Sequence, residues 1–224
     1  MKEILIILNT FDLNHPVTRK TIEYLKKTDL FKTELFIADS GYENDEPYSK
    51  RIKAYMAYAD GRPVVIIKSG VLVKDNDWLE KLINTSEASG ASIVGCVGIS
   101  ENTRNKIYGY TLTDKAAHIT IEDDGRDVLY VPAVTPGLVY IPRPEEIEID
   151  EHFYGNMYVT DICVRAWSQG KKTAVSQALL SYGDSLLSES SLNEADIEHL
   201  RNKWCYYIKA RLFLNEDIKT FCVS

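Results

Sequence analysis

The sequence predicts an α/β fold, a mostly parallel sheet flanked by helices, and three observations carry that expectation. The runs 4–8 and 64–67 are wholly apolar and rich in β-branched residues with no alternation, which suits strands covered on both faces. Strand-like and helix-like segments alternate in the order βαβαβα, which in one sheet calls for right-handed crossovers between parallel strands. The chain has 224 residues, of which 45% are hydrophobic and 26% charged, enough to bury one sizeable core.

Taken in order, 3–8 forms the first strand and Asn9 to Asn14 a loop. Pro16 then suits the first turn of a helix capped by Asn14, with Ile22 and Leu25 inward and Lys26 and Lys27 near its end. A strand over 33–38 ends at Asp39-Ser40-Gly41, and a helix over 47–59 follows an acidic loop. The central stretch comes next: a strand at 64–67, a turn at Lys68-Ser69-Gly70, then a helix capped by Asp75 or Asn76 that carries Trp78, Leu79, Leu82 and Ile83 on one face. Gly90 stops that helix before a strand at 91–97. Short β segments at 106–112 and 118–121, with Asp123-Asp124-Gly125 as a turn, suggest a hairpin-like excursion. Further strands are expected at 128–134, 137–141 and 171–176, and a helix over 155–169 closed by Gly170. In the tail, Ser191 and Glu194 fit a capping box for a helix reaching Phe213, rich in Trp204, Tyr206 and Tyr207. Those aromatics either pack on the same domain or form an oligomer contact, such as a homodimer through this helix.

Composition excludes several classes. A formal charge of −7 and a pI near 5.2 argue against broad nucleic-acid binding or an anionic membrane partner. No apolar run approaches the roughly 20 residues that a membrane helix needs, and the start is not a signal peptide, so a cytoplasmic location is expected. Cys96, Cys163, Cys205 and Cys222 form no Cys-x-x-Cys pair and read as reduced thiols. Neither a Gly-x-Gly-x-x-Gly nor a P-loop cradle is present, which disfavours hydride transfer, P-loop hydrolysis and nucleotidyl transfer. His15, His118, His152 and His199 show no metal-ligand spacing.

Several short motifs in sequence order carry a family resemblance. Ile4 to Thr10, Phe36-Ile37-Ala38-Asp39-Ser40, the stretch from Val64 to Leu82, Thr135-Pro136-Gly137-Leu138, Ile149-Asp150-Glu151-His152-Phe153, and Asp161-Ile162-Cys163-Val164-Arg165 with Gly170 resemble the GT-A nucleotide-diphospho-sugar transferases of the inverting family-two kind. The resemblance spans about 3–185 and implies a GT-A-like, Rossmann-like domain over 1–185 with a helical appendage over 186–224. It also implies that Asp39 accepts a hydrogen bond from a nucleobase, normally uracil, against the plainer reading of a turn-forming Asp. Thr10, Phe11 and Asp12 occupy the loop that touches the nucleoside in that family, or serve as connectors, and Gly137 is grouped with the substrate-binding positions.

The departures from the pattern are as informative. The family's Asp-x-Asp after the central strand is here Lys68-Ser69-Gly70, and its later histidine is Tyr182. Mn2+ or Mg2+ is thereby left without its usual ligands, and no cofactor is expected. Lys68, with Ser69 and the N–H of Gly70, could instead offset diphosphate charge, helped by Lys50, Arg51 and Arg62; a solvated loop lysine is the alternative. Tyr158 and Val159 stand where the family's Glu-Asp lies, so Asp161 is the nearest candidate for the base that deprotonates an acceptor hydroxyl. Pairing with Arg165 at i,i+4 competes with that role. The expected function is transfer of a sugar, with inversion and without metal, from a uridine- or thymidine-linked donor to an acceptor hydroxyl. A catalytically degenerate binding or scaffold protein on the same fold is the alternative.

Overall fold

The computed structural model describes residues 3–10, 12–27, 33–39, 46–100, 106–112, 118–121, 128–182 and 193–207, giving the backbone alone at 100, 111, 112, 118–121, 182 and 206. Phe11, the expected Asp123-Asp124-Gly125 turn, Ser191, Cys222 and the helix beyond Tyr207 lie outside the described residues.

The central strands are β1 (Ile4–Thr10), β2 (Thr33–Asp39) and β3 (Val64–Lys68). Beyond them come β4 (Val71–Val73), β5 (Ile93–Ser100), β6 (Lys106–Ile107), β7 (Gly109–Leu112), β8 (His118–Ile121), β9 (Leu129–Tyr130), β10 (Leu138–Ile141) and β11 (Thr173–Tyr182). The main sheet runs β2-β1-β3-β10-β5-β11-β4, with β6 on β5 and β9 on β11, while β7 and β8 form a separate two-stranded sheet. Strands β1, β2, β3, β5 and β11 point one way; β10 and β4 run against them. The fold is therefore a mixed, mostly parallel α/β sheet, as the apolar runs predict.

Helices cover both faces because every buried strand splits its side chains between two cores. Ile4, Ile6 and Leu8 join Val65 and Ile67 on one face, under α1 (Pro16–Lys26) and α3 (Trp78–Ser89) through Leu25, Trp78 and Leu82. Leu5, Ile7, Val64 and Ile66 point the other way, under α2 (Tyr48–Met56) and α4 (Met157–Ser168), where Ile52, Met157 and Ile162 are buried. The last helix, α5 (Glu194–Tyr207), lies against α4 and sinks Leu200 into that second core.

Local chemistry departs from expectation at a few ends. The cap of α1 is His15, whose Nδ1 accepts from Val17 N–H at 3.3 Å, because the Asn14 amide oxygen is taken by Arg19. At the start of α3 neither Asp75 nor Asn76 caps; Asp75 Oδ2 accepts from the Leu179 N–H (2.8 Å) and Lys81 (3.0 Å), stapling the chain after β4 to β11. Asn193 supplies a side-chain acceptor to Ala195 N–H at the start of α5. The strand expected at 128–134 shrinks to β9, since Pro132 has no N–H for the ladder, and Ala133 makes only a bridge to Tyr110. In contrast β11 runs past 176 to Tyr182, through an irregularity between Ser176 and Leu179, because its second half lies between β5 and β4 and pairs with both. Gly90 and Gly170 close α3 and α4 with φ of +66° and +73°, where a side chain would be strained. Cys96, Cys163 and Cys205 are free thiols.

Candidate functional site

The register of the parallel strands sets Thr10 beside Asp39 and Asn9 beside Lys68, so the carboxyl ends of β1, β2 and β3 form one edge. Gly137 enters β10 from the same edge, its carbonyl accepting from the Lys68 N–H at 3.0 Å. Ligands of open α/β sheets gather along such an edge, where turns leave polar groups unspent by the ladder. Thr10, Asp39, Lys68, Ser69, Gly70 and Gly137 are thus brought together.

What each of these groups already holds narrows its role. Hydroxyls of Thr10, Thr18 and Ser69 form a chain, at 2.7 Å and 2.8 Å, that ties β1 and the β3 turn to α1. Gly70 N–H donates to Thr21 Oγ1 at 3.0 Å, and Ser69 N–H to the Asn9 carbonyl. The Gly70 N–H expected to meet a phosphate thus already donates to α1. Asp12 organises the loop, its Oδ1 accepting from Asn14 N–H and its own N–H donating to Thr10 Oγ1. Asp39 is exposed, with Oδ2 accepting from Leu13 N–H at 3.2 Å.

Lys68 stands apart from this satisfied framework. Among the described residues its half-buried ammonium makes one long contact, 3.4 Å to Asn156 Oδ1, and burial pushes its pKa from the ordinary 10.5 down to about 8. A second buried cation is linked to this edge through Tyr48, on which both it and Asn9 act. Arg51, on α2, is only 7% exposed, yet its Nε and Nη1 have no hydrogen-bond partner among the described residues. Its guanidinium carbon sits 5.7 Å from the Tyr48 ring centre. The Tyr48 phenol is raised well above its ordinary value by burial, opposed by the Asn9 side chain and by the Arg51 charge. Asn9 approaches Tyr48 closely enough to act on it, but its buried Nδ2 completes no hydrogen bond of good geometry. Buried donors without acceptors are costly and uncommon, and cations more so.

The sequence singles out neither Asn9, read only as the start of a loop, nor Asn156 as a site residue. A polar residue closing the apolar run Ile4 to Leu8 was the available signal for Asn9. Asn156 carries no comparable signal, because only the fold brings it to Lys68.

Asp161, the expected base, is not part of this edge, and its surroundings match the competing reading of an ion pair within α4. It is fully buried in α4, where Oδ1 accepts from Trp204 Nε1 at 2.6 Å and from Lys203 Nζ at 2.8 Å. Arg165 lies 3.9 Å from Oδ2, the i,i+4 pairing that competed with catalysis. A base must reach an acceptor hydroxyl, and this carboxylate is instead covered by α5, which it anchors.

No helix among the described residues is long and apolar enough to cross a membrane. Neither a family model nor a curated protein matches the sequence. Solved structures do resemble the fold. TarS residues 1–349 from S. aureus, a glycosyltransferase, superposes with a TM-score of 0.55 at 12% identity, over 98% of this chain and 77% of that one. A197 from STIV gives a TM-score of 0.50 at 11% identity, over 79% of this chain and 82% of that one. The chain therefore has a glycosyltransferase-like α/β fold.

Proposed function

We propose that the chain binds a nucleoside-diphosphate sugar, uridine- or thymidine-linked, across the carboxyl edge of β1, β2 and β3, and transfers the sugar to an acceptor hydroxyl with inversion and without a metal ion. The observation that carries this reading is the pair of desolvated, under-partnered cations, Lys68 and Arg51, on a fold shared with a glycosyltransferase. A diphosphate supplies the acceptors both lack. Arg51 offers a planar fork suited to two phosphate oxygens, and Lys68 a point charge for the oxygen that gains charge as the glycosidic bond breaks. Asp39 supplies an acceptor for a base N–H at the end of β2. Asn156 holds the Lys68 ammonium in place.

The divalent ion of GT-A enzymes does not fit the residues at the end of β3. Where it needs oxygen ligands, the chain presents an ammonium, a hydroxyl engaged with Thr18 and an N–H engaged with Thr21.

One observation favours a second reading, a nucleotide-sugar binder without transfer: Asp161, the carboxylate nearest the family's base, is sealed beneath Trp204. Calorimetry against UDP, dTDP and UDP-sugars, with EDTA present, tests the shared part of both. Binding that survives chelation supports the site, and no heat with any nucleotide would sink both readings. Release of UDP from a bound UDP-sugar then separates enzyme from binder.

A further inference from the structure

The second face of the molecule carries a cluster that the nucleotide reading does not use. Asp150 and His152 lie in the segment ahead of α4, and His199 comes from α5; one ligand atom from each falls within 4.8 Å of the others. His152 Nδ1 is 2.7 Å from Asp150 Oδ1, and His199 Nε2 is 3.0 Å from Asp150 Oδ2. The rings are 5.5 Å apart. We propose that these three side chains form a site for a borderline divalent ion of the Zn2+ class, which clamps α5 to the segment ahead of α4.

Two imidazoles and a carboxylate are the donor set that Zn2+ favours, at bond lengths that put neighbouring ligand atoms about 3.3 Å apart around a tetrahedral centre. The observed separations reach that geometry by small side-chain rotations. Coordination requires each ring to turn its unprotonated nitrogen to the metal and keep its hydrogen on the other, so the ion replaces the two imidazole–carboxylate hydrogen bonds. Desolvation is already paid in part, since the Asp150 side chain is only 13% exposed. Lys203 then becomes an outer partner of the carboxylate. Its ammonium is shared between Asp150 Oδ2 at 2.5 Å and Asp161 Oδ1 at 2.8 Å, fixing the orientation of Asp150 while weakening its pull on a cation. Charge around the cluster is balanced, Lys50, Lys53, Arg165 and Lys203 against Glu148, Asp150, Glu151 and Asp161, so the donor set and not a net charge selects the ion. Asp150, His152 and Lys203 also line a cleft of about 560 Å3, through which the ion enters and a water reaches the fourth position.

The test uses the full chain, stripped with chelator and titrated with Zn2+ against a chromophoric competitor, then with Co2+ for its visible spectrum. The expected result is one equivalent of Zn2+ with a raised Tm, and intense four-coordinate Co2+ bands. His152→Ala and His199→Ala should each weaken Zn2+ binding at least tenfold and abolish the bands while the far-UV spectrum stays native. The His152 side chain is 78% exposed, so its variant folds even if the α5 variant does not. No stoichiometric uptake by the wild type, or His152→Ala binding like wild type, would overturn the proposal and leave a hydrogen-bonded His–Asp–His cluster. None of these readouts involves a nucleotide, so this site and the strand-edge site stand or fall separately.

Discussion

Replacing Lys68 by methionine should make the protein more stable and its nucleotide affinity worse. The folded state holds the Lys68 proton less tightly than the unfolded chain does, because burial lowers the pKa from 10.5 to about 8. At about 1.4 kcal/mol per pH unit, that fall corresponds to roughly 3 kcal/mol of destabilisation at neutral pH. Water at the partly exposed side chain reduces it, so a gain of roughly 1 to 3 kcal/mol is expected for Lys68→Met at pH 7. The sign follows from proton counts: below the folded value both states are protonated and the whole penalty is present. Between about pH 8 and 10.5 the unfolded chain binds more protons, so wild-type stability gains on the variant until the gap closes. Urea denaturation of both proteins at pH 7 and pH 10.5 reads this directly, since other titrating groups cancel in the difference. Calorimetry with UDP should show affinity down tenfold or more, as expected for a lost charge-assisted contact of about 1.5 to 3 kcal/mol. A variant less stable than wild type by the same amount at both pH values would show that Lys68 is well solvated. Unchanged UDP affinity would remove it from the site.

Arg51→Met replaces an under-partnered buried cation by an apolar chain of similar length, so thermal unfolding should show a neutral or stabilising change of up to about 4 kcal/mol, with UDP affinity lowered at least tenfold in calorimetry. Asp161→Ala removes the acceptor of Trp204 and leaves Lys203 to Asp150 alone, and should cost about 1 to 3 kcal/mol in urea titrations with a red shift of tryptophan emission. Asp161→Asn, which keeps an acceptor for Trp204, should retain most turnover; loss of turnover at unchanged stability would restore Asp161 as the base. Gly95→Ala places a Cβ 2.6 Å from Val134 Cβ between β5 and the segment before β10, so overpacking should lower stability by about 1 to 3 kcal/mol in the same titrations.

Which parts of the fold were legible follows from how far their determinants reach along the chain. The strands β1 and β3 announce themselves because two-sided burial forces a continuous apolar run, and α3 and α4 end where Gly90 and Gly170 take left-handed backbone. The strand β4 has only Val71, Leu72 and Val73, too few to show a period, and its partners Tyr182, Ser181 and Leu180 lie more than a hundred residues on. Missing β4 and stopping β11 at 176 are therefore linked, since β4 is a strand through β11, and β11 past 176 is held by both β4 and the far end of β5.

The same distinction divides the candidate site. Lys68 was visible because a charged residue ends a buried strand, a purely local signal. Nothing local to Asp161 reveals that Trp204, 43 residues later, will donate to it, so its spacing alone carries the reading as a base. His152 and His199 show the converse. As sequence positions they have no ligand spacing, and only the docking of α5 against the segment ahead of α4 puts both rings on one carboxylate. That docking rests on the same few groups throughout: Lys203 bridges Asp150 and Asp161, and Asp196 accepts the N–H groups of Tyr154 and Gly155 at the turn leading to Asn156. Since Asn156 in turn holds Lys68, the seating of α5 is mechanically continuous with the strand-edge site. Loosening α5 should therefore weaken nucleotide binding without touching any residue that would contact the nucleotide.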